Sequence, residues 1–87
     1  MSIFRKNRCE IEIIADILSI AKKDIKKTRL MYQTNLCYST LIKYAKFLIE
    51  KEFLGLKRGN PSGGIYYTTE QGKKLLESIE DLHRQLL

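Results

Sequence analysis

The chain has 87 residues, 44% hydrophobic and 30% charged, with 16 Lys/Arg against 10 Asp/Glu and a net charge of +6. Those values exclude a disordered tail and describe one small domain whose limited core would gain from a second copy. The positive balance favours a polyanionic partner, either nucleic acid or an anionic membrane surface. No apolar run approaches the roughly 18–20 residues needed to cross a bilayer. Near the start, Glu10, Glu12 and Asp16 interrupt any signal-peptide core, so the expected location is cytoplasmic. Cys9 and Cys37 are too few for a secreted disulfide scaffold and lack metal-ligand spacing. They are expected as small buried or half-buried residues, with a bridge left open.

Residues 1–8, carrying Arg5, Lys6 and Arg8, read as a basic N-terminal arm. The first helix is expected from about Cys9 to Lys23. At about 100° per residue, Ile11, Ile14, Ile17, Leu18 and Ala21 share one face. Ile13 and Ile20 flank that face and call for a second packing partner, such as a C-terminal helix. The run KKDIKKT ends this helix with cations suited to the negative end of its dipole. Thr28, or a residue just before it, is expected to cap a short helix, TRLMYQ. Asn35 suits the left-handed turn after it, and Leu36 can plug the core beneath.

The next helix should span about Cys37 to Glu52. With Ala45 at the centre of its buried face, Tyr38, Leu41, Ile42, Leu48 and Ile49 fall within about 60°. Ser39, Thr40, Lys43 and Glu50 face outward, with Tyr44 and Lys46 at the margins. Phe47 also lands outward, where local packing, a partner subunit or a thymine methyl would account for it. FLGLKRGNPSGGIYYTT then reads as a β-hairpin, with strands Phe53–Arg58 and Ile65–Thr68 joined by GNPSGG. Thr69 is a good N-cap for the last helix, and Gly72 in its first turn implies close approach to another backbone. Leu75, Ile79, Leu82 and Leu86 repeat at spacings of four, three and four, flanked by Leu76 and Leu87. That is a short coiled-coil seam, expected to join two copies; the alternative is a helix folded onto its own domain.

The placement of charge is more telling than its total. Residues 1–60 hold 13 Lys/Arg and 6 Asp/Glu, a balance of +7, whereas residues 61–87 hold 3 and 4. A membrane-surface helix would carry its own basic face, and the last helix does not, so the partition favours nucleic acid. A major groove admits one helix, whose N-terminal half can offer Ser39, Thr40, Lys43 and Tyr44 to base edges, with Lys46 beside them. Lys27, Thr28 and Arg29 begin the preceding helix and suit phosphate. Lys57, Arg58 and Asn60 on the hairpin could reach a neighbouring groove or backbone. The expected fold is α+β, mainly α: a winged helix-turn-helix of three helices and a two-stranded β wing, followed by a C-terminal dimerisation helix. The expected divisions are a basic arm at 1–8, the winged domain at 9–69 and the dimerisation helix at 70–87.

The strings Lys27-Thr28-Arg29, Met31-Tyr32, Asn35-Leu36, Tyr38, Lys43-Tyr44 and Thr69 with Gly72 resemble those of archaeal winged helix-turn-helix DNA-binding regulators. The resemblance runs from about Ile11 to Leu82 and is strongest to the chromatin-type subgroup of about this size, which dimerises through an antiparallel coiled coil. It implies double-stranded DNA as partner, a homodimer, a nucleoid-associated location, and either gene regulation or DNA compaction. Two departures stand out: Cys37 replaces the serine that usually caps the recognition helix, and the last helix is shorter.

An enzyme is not expected. His83, the single histidine, has no paired acids or nucleophile around it and reads as a partly buried helix residue. GNPSGG lacks the Lys-Ser/Thr of a phosphate loop. No cofactor, metal or small-molecule ligand is indicated. The serious rival is a winged helix that docks proteins within a transcription or replication assembly, since one fold serves both roles. RNA binding lacks the exposed stacking aromatics on a sheet that single strands prefer.

Overall fold

In a computed structural model, residues 9–58 and 64–86 are described. The basic arm, Asn60 and Leu87 lie outside them. The elements are α1 (Glu10–Ile20), β1 (Ile25–Lys26), α2 (Lys27–Thr34), α3 (Tyr38–Glu50), β2 (Leu54–Arg58), β3 (Gly64–Thr68) and α4 (Glu70–Leu86).

α1 stops at Ile20, before the lysine run, with Ala21 as its C-cap. Its buried side is Ile13, Ile17 and Leu18, with Ile14 and Ile20 packed against the core. Ile11, expected on that side, is 54% exposed. It sits in the first turn of α1 and, among the described residues, is not packed against the core. α4 packs along α1, the second partner that Ile13 and Ile20 called for.

The lysine run hides a strand. Ile25 pairs with Tyr66 and Lys26 with Ile65, so the expected two-stranded wing gains a short third member in the order β1-β3-β2. α2 follows directly and starts two residues earlier than a Thr28 cap would set it. Its N-cap is Lys26, which has no side-chain cap bond.

Two helices end in the same way. Asn35 takes φ 59° after α2, and the Leu36 amide donates back to the Met31 carbonyl at 3.3 Å. Glu52 takes φ 66° after α3, and the Phe53 amide donates to the Leu48 carbonyl at 2.9 Å. Each left-handed residue turns the chain sharply and satisfies a terminal carbonyl. Asparagine tolerates that conformation well, whereas glutamate adopts it at a cost.

Ile17, Leu18, Leu30, Leu41, Leu48, Leu54 and Leu76 form the fully buried centre, drawn from every helix and from β2. Two buried threonines are satisfied by backbone. The Thr34 hydroxyl donates to the Leu30 carbonyl and the Thr68 hydroxyl to the Leu18 carbonyl, both at 2.7 Å. With the Thr68 amide also donating to Ala21, β3 is stitched to the end of α1. The wing therefore has a fixed relation to the helices.

Candidate nucleic-acid interface

α3 is built as a two-sided rod. Leu41, Ala45 and Leu48 are buried, Ile49 and Tyr44 pack against the core, and Ile42 is half-buried. The opposite side leaves Ser39, Lys43, Lys46 and Glu50 exposed, with Thr40 and Tyr44 half-buried at the edge. The Lys43 ammonium lies 5.6 Å from the Tyr44 ring centroid, which holds this cation close to the helix without removing its charge.

Tyr38 does not join the core. It is 55% exposed, and the Lys27 ammonium sits 5.3 Å from its ring centroid. The helical wheel gave Tyr38 an inward angle, but as the first residue of α3 it lies beyond the reach of the core beneath. The effect is to bring the first residue of α2 onto the start of α3. Burial raises the Tyr66 phenol above its ordinary range, with the nearby Lys27 charge opposing that shift. Lys27 thus sits among two tyrosines at the junction of α2, α3 and β3.

The thiols are exposed, against expectation. Cys37 is the N-cap of α3, and its Sγ lies 3.2 Å from the Thr40 hydroxyl and 3.5 Å from that of Ser39. The Thr40 hydroxyl, then that of Ser39, hold the thiol down to about 7, stabilising the thiolate at the positive end of the helix. No side-chain cap bond reaches the α3 amides. Thr28 and Arg29 are exposed on the outer side of α2, where they line a shallow depression with Gln33 and the almost fully exposed Tyr32.

The wing departs most from expectation. The Lys57 ammonium reaches across β3 to Asp24 at 2.7 Å and lies 5.1 Å from the Tyr67 ring centroid. Tyr67 in turn lies over Gly55, where any β-carbon would collide with its ring. The Asp24 bond, then its charge, raises the Lys57 pKa. This lysine, expected to reach nucleic acid, is engaged in bracing the outer face of the sheet. Arg58 ends β2, and Asn60 is outside the described residues. Neither the Tyr38–Lys27 contact nor the Asp24–Lys57 bridge has a local sequence signature. His83 is exposed rather than partly buried. Among the described residues, no group of His, Cys, Asp and Glu could hold a metal ion, and no helix is long and apolar enough to cross a membrane.

A helix pair joined by a tight left-handed turn, with a sheet hairpin behind it, is matched over residues 7–86 by the model of the winged helix-turn-helix family. The chain belongs to that family. As a winged helix it is 38% identical over 78 residues to the uncharacterized protein MJ0290 of Methanocaldococcus jannaschii, covering 88% of this chain and 35% of that protein. It is 37% identical to MJ0287 of the same organism, covering 90% of this chain and 76% of the relative. The chain thus spans about a third of the first relative's length and three quarters of the second's. Among solved structures, Sso10a-2, a DNA-binding protein from Sulfolobus solfataricus, superposes with a TM-score of 0.80 at 31% identity. That match covers 88% of this chain and 80% of the other. F93 from STIV, a winged-helix DNA-binding protein, gives 0.75 at 21% identity over 93% and 96% of the two chains, a likeness of fold.

Proposed function

We propose that this winged helix binds double-stranded DNA as a homodimer and acts as a transcriptional regulator, with α3 in the major groove. The observation that carries the reading is the outward side of α3, where Ser39, Lys43 and Lys46 stand exposed while the opposite side is core. Side chains of this kind reach base edges and phosphates. Lys27 and Arg29 at the start of α2 supply further cations, and Thr28 a hydroxyl, for phosphate. The likeness to Sso10a-2, itself described as DNA-binding, supports the same assignment. Lys46 stays in the candidate set, and Arg58 and Asn60 stay as candidate wing contacts. Lys57 joins them only if its bridge to Asp24 opens. For the homodimer, the support is the exposure of Leu82 and Leu86 at the far end of α4, continuing the spacing of Leu75 and Ile79.

Fluorescence anisotropy on a labelled duplex tests the reading. Affinity should fall steeply between about 50 and 200 mM salt, because several phosphates would be neutralised together. A folded Lys43→Ala/Arg29→Ala variant should bind more weakly, with a salt slope lower by about two, one for each cation lost. Unchanged affinity in that variant, or binding indifferent to salt, overturns the assignment. Footprinting on genomic DNA separates regulation from compaction, since a regulator protects discrete sites and a compacting protein coats uniformly.

A further inference from the structure

Phe47 is unexplained by the fold. It lies on the outward side of α3, is 44% exposed, and is absent from the apolar residues packed against the core. Within α3, beyond its first turn, every other large apolar side chain is buried or half-buried. Local packing therefore does not account for it. Its neighbours one helical turn away are Lys43 and Lys51 at four residues and Tyr44 and Glu50 at three, and the Lys51 ammonium lies 5.9 Å from its ring centroid. An exposed aromatic ring flanked along the helix by two cations, with the charged Glu50 beside it, is a poor match to a protein-docking surface, which would present a contiguous apolar patch. It matches a DNA major groove, where phosphates border a floor whose one apolar group is the C5 methyl of thymine.

We propose that Phe47 reads thymine by packing its ring on that methyl, while Lys43 and Lys51 meet flanking phosphates. The inference rests on the DNA-binding reading and gives it a base preference. It also assigns Lys51, at the C-cap of α3, a place in the interface.

Replacing thymine by deoxyuridine removes the methyl and leaves the pairing edge unchanged. Anisotropy titrations would compare an alternating dA·dT duplex with its dA·dU counterpart. The wild type should prefer dA·dT by about fourfold for each methyl contacted, the equivalent of ~0.8 kcal/mol per buried carbon. Phe47→Ala should bind both duplexes equally, near the wild-type affinity for dA·dU, and Phe47→Leu should keep most of the preference. Circular dichroism checks that both variants keep the wild-type helix content. A wild type with no preference overturns the proposal, as does a preference that persists in Phe47→Ala. In both cases duplex binding itself survives and the underlying DNA reading stands. Absence of any duplex binding by folded wild type would overturn both. A protein-docking role for Phe47 would appear as unchanged DNA affinity and unchanged preference in Phe47→Ala.

Discussion

The two halves of α4 share one spacing of apolar residues and meet different surroundings. In the first half, Gly72 and Leu76 are buried and Leu75 packs against the core. The start of this half is tied down on two sides. The Thr69 hydroxyl donates to the Glu52 carbonyl at 2.7 Å and accepts from the Gly72 amide at 3.0 Å, while the Thr69 amide donates to Phe53. Among the described residues, the second half has no such ties. Leu82 is 58% and Leu86 76% exposed, and the ion pair there, Arg84 with Asp81, is within the helix and faces solvent. One periodic stripe thus serves first as core and then as an uncovered surface, and the break falls between Ile79, half-buried, and Leu82.

The largest expected effect comes from shortening a leucine on the buried side of that break. Leu76→Ala opens a cavity in the fully buried centre and should cost about 2–5 kcal/mol of unfolding free energy. For a domain of this size that is a fall of about 4–8 °C in melting temperature per kcal/mol, read by thermal circular dichroism. A loss below about 1 kcal/mol would mean that α4 is not docked on its own domain as described. Gly72→Ala should have the next largest effect. A β-carbon there would collide with the Phe53 carbonyl oxygen, which belongs to the backbone and cannot swing aside. Overpacking of this kind costs about 1–3 kcal/mol, against which alanine recovers at most about 1 kcal/mol of helix propensity. The net change should be destabilising in a chemical-denaturation titration. A stabilised variant would show that the start of α4 has room to move.

Much of this organisation was legible in the sequence. The helix pair, the hairpin, the left-handed Asn35, the Thr69 cap and the close approach at Gly72 all follow from local rules about periodicity and backbone conformation. What was illegible depended on ends and on distance. A helical wheel gives an angle but no axial position, so it points Ile11 and Tyr38 inward although each lies in a first turn and is exposed. β1 is two residues long and embedded in lysines, and only β3 makes it a strand. Asp24 and Lys57 lie 33 positions apart, so no local pattern could have shown that one cation of the candidate site was already engaged. The outward side of α3 was readable because burial of Leu41, Ala45 and Leu48 fixes its rotation.

The same limit applies to the leucine stripe, where core and seam use identical spacing, and the smallest intrinsic change sharpens it most. Leu82→Asp replaces an exposed side chain, so the unfolding free energy of a single copy should move by no more than about 0.5 kcal/mol. Its effect should fall instead on association. If two wild-type chains meet through the far half of α4, sedimentation gives a dimer mass, and the melting temperature rises with protein concentration because folding and assembly are linked. In Leu82→Asp a charge would be brought into that seam, so the mass should halve and the melting temperature should lose its dependence on concentration. If both proteins sediment as dimers, the seam lies elsewhere. If both are monomers, the second half of α4 is covered by a different partner or by none. Only halving of the mass without a change at low concentration would make the break at Leu82 a boundary between fold and assembly.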